Sequence, residues 1–398
     1  MKLKYLSLLL PALLFSQNLL SDLKQKELEY DRQKTLQDSK ETEKSWINPV
    51  IFQYSYSKDN SLGDIKTTNQ IFTISVNQPV FKSGAIYYSI KYAKHSKKFN
   101  LLNVELQKRE LIKQALDLAY DYKITELNEQ IILLNIDNAK IDIKKKRDDF
   151  LNGTGDSTLL NNAVLQLNSL KLNLEDLKMT LDNIKSSFKN ISSLPVETVK
   201  TPVFKLISKK EYMKNSIDLI QQKIYRKVKY DLYKMQLGNQ LVSLNLNASY
   251  NYQKMDYSQT TPQLSDSNNN YYKIGFSISL PINFNALNKI EKSKIDYLKS
   301  MLLISDKKQQ LENSYANIIN QINAIERKIS VYKENIKIYD DLIVSTKESI
   351  KAGNATELDL KIMQNSRKTM FININILKLK KQKLLLNLYY KLADYKIN

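Results

Sequence analysis

Apolar residues recur along this chain with two different periods. Leu311, Tyr315, Ile318, Ile322, Ile325, Ile329, Tyr332, Ile336, Tyr339, Ile343 and Ile350 follow at steps of four and three, with Thr346 the only polar intruder. Ala163, Leu167, Leu170, Leu174, Leu177, Leu181, Ile184, Phe188 and Ile191 do the same. A 3.5-residue repeat held this long predicts helices that wind on partner helices as coiled coils. Their other faces carry Lys, Asn, Asp and Gln and belong in water. A third helical stretch keeps register through Tyr120, Ile124, Leu127, Ile131 and Leu134 and loses it at Asn138. From about 83 to 152 it would be ~100 Å long, about three hydrocarbon thicknesses, so it is no membrane span but long enough to cross much of a periplasm.

Elsewhere the period is two. Val242, Leu244, Leu246, Ala248, Tyr250 and Tyr252 interleave with Ser243, Asn245, Asn247, Ser249 and Asn251. Tyr272, Ile274, Phe276, Ile278 and Leu280 interleave with Lys273, Gly275, Ser277 and Ser279. Shorter runs hold Phe52, Tyr54 and Tyr56, then Phe72, Ile74 and Val76. One apolar and one polar face over roughly ten residues matches a transmembrane β-barrel strand, and a soluble hairpin packed on a helix is the alternative. Tyrosines crowd the strand ends as an interfacial girdle would. Polar linkers, Lys58 to Gln70 and Ser258 to Asn270, are expected as surface loops.

The plan is duplicated at about 200 residues. One strand run ends at Pro79 and another at Pro281, each followed by a long helix. The helices break at Asn152-Gly153-Thr154-Gly155 and at Ala352-Gly353-Asn354-Ala355-Thr356. The expected first repeat, 17–194, has a short helix, strands at about 49–57 and 70–78, a long helix at about 83–152 and a return helix at about 156–192. A linker at 195–207 follows. The second repeat, 208–398, has a helix at about 208–240, strands at about 242–254 and 271–281, and helices at about 286–352 and 357–396. The fold class is mainly α with membrane β.

Composition narrows the function. The chain has 398 residues, 61 Lys plus Arg against 41 Asp plus Glu, 7 Gly, 1 His and no Cys. Zinc-thiolate sites, disulfides and cysteine nucleophiles are excluded, and one histidine leaves a histidine triad improbable. Neither GxGxxG nor GxxxxGK[ST] occurs. No enzyme active site can be assembled, and no cofactor is expected. The net charge of +20 is scattered, and its densest run, Lys144 to Arg147, meets Asp148-Asp149 at once, so a solvated helix face explains it better than nucleic acid.

The first residues, MKLKYLSLLLPALLFS, pair a basic start with an eleven-residue apolar core. That fits a signal peptide over 1–16 and is too short for a spanning helix. Without Cys the exported chain cannot be a cysteine-lipidated lipoprotein. Four strands cannot close a membrane barrel, since the smallest use about eight. Strands that enter lipid must therefore be shared among copies of the chain, because an open edge would leave backbone groups unpaired.

These features together resemble the TolC-like outer-membrane channel family. Tyr272 to Pro281 looks like that family's last strand entering its helix, and Gly353-Asn354-Ala355-Thr356-Glu357-Leu358-Asp359 looks like its periplasmic hairpin tip. The resemblance implies a homotrimer with a shared twelve-strand barrel in outer-membrane lipid and a twelve-helix α-barrel tunnel. It also implies a periplasmic adaptor and an inner-membrane transporter of the RND or ABC type. The chain would be the passive duct of a tripartite efflux pump or a type I secretion system. By position, Asp359 matches a family aspartate ringing the closed periplasmic entrance, where three carboxylates would make a cation-attracting, pH-sensitive gate. An Asp in the first turn of a helix is the plainer alternative. Gly153, Thr154, Gly155 and Asp156, with Gly353, Asn354, Ala355 and Thr356, become adaptor-docking tips, and Pro79 and Pro281 the strand-to-helix transitions.

Some positions depart from the family. Ile362 stands where a second acid is common, and Leu159 where the first tip usually has Asp. The chain stops soon after its last helix, so any equatorial belt is expected to be slim. His95 reads as a surface residue, Trp46 as an interface anchor or a packing residue, and Asp148-Asp149 as a solvated helix end. A periplasmic adaptor and a trimeric surface adhesin are the competing functions. The adaptor would carry one hairpin with compact β-domains, and the adhesin its four strands together at the C-terminus.

Overall fold

A computed structural model describes residues 19–259 and 265–393. The signal-peptide reading of 1–16, part of the loop after Ser258 and the predicted helix end beyond 393 lie outside the described residues. In chain order the elements are α1 (Asp22–Lys44), β1 (Ile51–Leu62), β2 (Ile65–Phe81), α2 (Ala85–Leu151) and α3 (Ser157–Lys189). A short 3-10 turn at Val196–Thr198 precedes α4 (Lys209–Asn215), α5 (Ile217–Asn239), β3 (Ser243–Tyr257), β4 (Ser267–Ser279), α6 (Ala286–Lys351) and α7 (Glu357–Tyr389). No described helix is long and apolar enough to cross a membrane.

The chain forms two compact units. One, built from residues up to 30, 104–218 and 308–398, is helical. In it α6 packs on α7 through Ile329 and Ile336 against Ile374 and Leu377. The opposite side of α7 packs on α2 through Ile372 and Ile376 against Ile124, Leu127, Ile131 and Leu134. α2 in turn lies beside α3, where Lys185 Nζ sits 5.8 Å from the Tyr122 ring. The helices thus stand in a row, α3–α2–α7–α6. Every heptad position read on α3 and α6 is buried or half-buried, and the residues between are mostly exposed. That is the signature of helices with one neighbour in the row, although heptad residue Tyr315 of α6 also meets Tyr212 of α4 at 5.7 Å between ring centroids and donates to Ile207 O at 2.7 Å. α2 and α7 have partners on two sides, which is why their apolar pattern is broader and looks less regular in sequence.

The two halves end alike. Ile191 O accepts from Ser21 N at 2.8 Å, and Lys391 O, 200 residues later, accepts from Ile217 N at 2.8 Å. The second contact corrects the single helix expected over 208–240. An antiparallel bridge, Ser216↔Leu392, splits it into α4 and α5, because the N–H of Ile217 goes to the chain after α7 instead of to the preceding turn. The same bridge stops α7 at Tyr389 rather than 396. Arg109, buried, donates to Leu392 O at 2.6 Å and supplies the carbonyls freed there.

The second unit, 31–103 and 219–307, holds an antiparallel sheet of order β1-β2-β3-β4. Its strands run further than the alternation does. Lys58 pairs with Thr68 and Asp59 with Thr67, so the loop expected over 58–70 is a tight hairpin at Gly63, whose φ is +73°. Polar residues end the apolar stripe without ending the ladder, since the ladder is made by backbone. Likewise β4 begins at Ser267, inside the loop expected over 258–270.

His95 is corrected as well. Its Nδ1 lies 2.5 Å from Asp231 Oδ2 on α5, and Asp231 is buried. A buried carboxylate without a partner is costly, so this histidine completes packing between α2 and α5. Trp46 is half-buried, and its carbonyl accepts from Gln78 Nε2 at 3.1 Å.

Candidate functional site: hairpin tips and the open sheet

Register places the alternating residues of all four strands on common faces. Phe52 faces Ile74, which faces Tyr250, which faces Tyr272; Leu246 faces Phe276 and Leu244 faces Ile278. These apolar side chains line one face and are widely exposed, Phe276 by 74% and Tyr272 by 76%. The other face is amide and hydroxyl, tied by Thr73–Asn251 at 3.0 Å, Asn247–Ser277 at 3.0 Å and Ser243–Ser279 at 2.8 Å. In water the apolar face would be a large unpartnered patch, whereas in lipid it is matched. Strands β1 and β4 are free edges.

The predicted transitions behave differently. Pro79 lies inside β2, where the register shifts before Phe81 and where β1 no longer pairs, so its missing N–H costs nothing on that side. The turn into α2 is made by Ser83 (φ 42°) and Gly84 (φ 85°), with Ser83 Oγ donating to Val242 O at 2.7 Å. Gly238 lets α2 begin close by, since a Cβ there would sit 2.7 Å from Ala85 N. Pro281 lies two residues beyond the end of β4, in an exposed segment before α6.

Both tips are built on one plan. Gly153 (φ +73°) donates to Phe150 O at 3.1 Å, and Thr154 to Asp149 O at 2.9 Å. Gly353 (φ +76°) donates to Ile350 O at 3.0 Å, and Asn354 to Ser349 O at 2.8 Å. Each is a paired C-terminal cap that needs glycine at the left-handed residue. Gly155 is also required, as a Cβ would meet Phe150 N at 2.9 Å, whereas the second tip has Ala355 at that place. Asp156 and Thr356 then cap α3 and α7. Asp156 accepts from Thr158 N at 2.8 Å, which holds its carboxyl below the ordinary range. Asp148 and Asp149 are exposed, with their carbonyls used by the first tip's turn.

The tips differ at the third helical residue. In the first it is Leu159, exposed. In the second it is Asp359, whose carboxylate accepts from Thr356 N at 2.9 Å and Thr356 Oγ1 at 2.7 Å while Asp359 N returns a bond to Thr356 Oγ1 at 3.3 Å. The other oxygen pairs with Lys145 of α2. The Lys145 ammonium first, then Thr356, pulls the Asp359 carboxyl down to about 2. Further from the tip, Asp137 of α2 accepts from Lys361 of α7 at 3.0 Å and from Asn365 of α7 at 2.9 Å, and Asn365 also reaches Asn138 at 2.8 Å. Polar pairs thus enter the α2–α7 seam at Asp137, where the heptad was lost at Asn138, while Ile141 and Leu360 nearer the tip stay buried. Ile362, in place of a second acid, is half-buried. Sequence reading singled out Asp359 and missed Lys145, Asp137, Lys361 and Asn365, for which spacing gives no signal.

Open lipid-facing strands joined to paired helical hairpins define a subunit of an outer-membrane channel. Residues 210–389 match the family described as outer membrane efflux protein. That match covers the second repeat, a little under half of the chain, and the fold of the whole chain is that of TolC-like outer-membrane channels. No curated protein matches the sequence. Among solved structures, the outer membrane protein VceC from Vibrio cholerae is similar at a TM-score of 0.76 and 11% identity, over 94% of each chain. The CmeC outer membrane channel of Campylobacter jejuni is similar at 0.72 and 15% identity, over 95% of this chain and 85% of that one. The open state of the Neisseria gonorrhoeae MtrE outer membrane channel is similar at 0.67 and 12%, over 92% and 86%. The adaptor and adhesin readings are not favoured by these matches.

Proposed function

We propose that three copies of this chain form one exit duct in the outer membrane, fed by a periplasmic adaptor and an RND- or ABC-type inner-membrane transporter. The carrying observation is that both arrays in the chain are open. The sheet ends in the bare edges of β1 and β4, and the helix row ends in α3 and α6, each with one neighbour in the row. Closing both in a ring of copies satisfies backbone and apolar surface together. The halves 17–194 and 208–398, joined by 195–207, serve as equivalent lobes, and residues 1–16 direct export. The chain supplies a path and no chemistry.

At the tips, Asp359 serves as a latch. It fixes the start of α7 and ties it to Lys145, and the Asp137–Lys361 and Asp137–Asn365 pairs add polar ties between α2 and α7 near the tip. The adaptor docks on the tip turns. The pH dependence follows from the sign of the shift. The carboxyl titrates near its ordinary 3.8 when unfolded and at about 2 in the tip, so its stabilisation is present above the first value and lost as pH falls through the second. Between about pH 7.5 and about pH 5 the latch stays ionised, and no gating change is expected from Asp359.

Conductance in planar bilayers tests the reading. The purified protein should conduct weakly, and Asp359→Ala and Lys145→Ala should both raise conductance. Lys145→Ala leaves the helix cap intact, and so separates the latch from loss of a cap worth about 1 kcal/mol. Silent but folded and exported protein would overturn the duct. Unchanged conductance in both variants would keep the duct and discard the latch.

A further inference from the structure

The polar face of the sheet holds a feature that the duct reading leaves unassigned. Following the register, this face carries Gln53, Ser55 and Ser57 on β1, Asn69 to Asn77 on β2, Asn245 to Met255 on β3, and Tyr271 to Ser279 on β4, at alternate residues. Two charged side chains lie on it. Asp59 is on the outermost rungs, opposite Thr67 and Tyr257. Lys273 lies well inside, opposite Ser249, which in turn faces Ser75. From the Ser57–Asn69 rung inward, Lys273 is the only charge on this face.

Neutral donors and apolar groups surround it. A recess of about 420 Å³ lies against Ser75, Asn77, Asn247, Ser249, Lys273 and Gly275, with Ile51 and three further apolar residues completing its lining. A Cβ at Gly275 would meet nothing within 4 Å, so the glycine leaves open space two residues from the lysine. Lys273 is exposed and has no carboxylate within ion-pair distance among the described residues, and its Nζ lies 5.2 Å from the Tyr271 ring. The contrast with Lys254 is instructive. That lysine is on the apolar face near the outer end and is paired with Asp256 at 2.9 Å.

We propose that Lys273 is an anion-binding station in the barrel lumen, and that the solutes passing it carry carboxylate, phosphate or sulfate groups. This rests on the duct reading, because the polar face becomes a lumen when the sheet closes, and three copies then place three ammonium groups on one ring. A ring of lysines among neutral amides and hydroxyls favours anions, with no fixed carboxylate on the inner rungs to cancel it. The hydroxyl and amide groups of the recess donate to the same oxygens that the ammonium attracts.

The test is the reversal potential of the full-length channel under a KCl gradient. The wild type is compared with Lys273→Gln, Lys273→Glu and the control Lys254→Gln. At low salt the anion-to-cation permeability ratio is expected to fall roughly twofold in K273Q and about fivefold or more in K273E, as three unit charges act through water. K254Q should match the wild type. Tripolyphosphate added from the sheet side should block the wild type and spare K273E. Conducting channels with unchanged reversal potential and unchanged block in K273E would overturn the station and leave the duct standing. Folded trimers that conduct in no variant would overturn the duct and the station with it.

Discussion

Phe276→Arg is expected to abolish insertion of this protein into the outer membrane, while Ser277→Arg, one residue along the same strand, is expected to insert. Phe276 sits on the apolar face between Ile274 and Ile278, opposite Leu246, and is 74% exposed in the single chain. An arginine on the lipid face near the bilayer midplane costs about 2–4 kcal/mol, and the proposed ring of three copies would incur it three times. The sum, roughly 6–12 kcal/mol, is comparable to the whole stability of many proteins. Ser277 is on the polar face, where its Oγ takes a hydrogen bond from Asn247 at 3.0 Å. Loss of that bond costs about 1 kcal/mol, and a guanidinium there faces water. Membrane fractionation and the heat-modifiable band on a gel distinguish the two variants. If both insert equally, the Phe276 face does not meet lipid; if the serine variant is the one excluded, the assignment of faces is reversed.

Much of this arrangement is legible in the sequence because each periodic face has one partner. The heptads of α3 and α6 coincide with burial since each of these helices buries one stripe and has one neighbour in the row, and the apolar faces of the strands were readable residue by residue. What stayed hidden came from long-range polar pairing. Spacing could not show that Asp231 meets His95, that Lys145 meets Asp359, or that Asn138 breaks its heptad to reach Asn365. Strand ends were underestimated because Lys58, Asp59 and Thr67 extend the ladder through backbone bonds that side-chain alternation does not report. The break at Ser216 is a similar case, as it is imposed by Leu392 and has no glycine or proline to announce it. Glycine was the reliable marker at the tips. Gly153 and Gly353 adopt the left-handed conformation that their caps require.

Leu172→Asp on α3 and Ile338→Asp on α6 should each convert the assembled channel to monomers without unfolding them. On α3, Leu165, Leu172 and Met179 recur at steps of seven and are exposed by 66%, 68% and 60%. At 3.6 residues per turn this stripe lies about opposite the buried heptad of Leu167, Leu170, Leu174 and Leu177. On α6, Val331, Ile338 and Leu342 make a second stripe, exposed by 54%, 56% and 43%, and again roughly opposite the seam to α7. A helix with two apolar stripes and one neighbour in the row has one stripe to spare. The spare stripes lie on the two ends of the row, so in the proposed ring α3 of one copy and α6 of the next would cover both. Burying such a side chain contributes about 1.5–3 kcal/mol, and an aspartate there adds desolvation of a charge at every seam of the ring. In the monomer the same positions are in water, where surface substitutions change stability by about 0.5 kcal/mol or less. Lys171→Asp, adjacent to Leu172 but off the stripe, is the control and should stay assembled. Light scattering in detergent gives the mass, and circular dichroism confirms that the helices persist. Assembly that survives both substitutions would mean that α3 and α6 face solvent in the finished channel, and the ring would then have to be closed by the sheet edges alone.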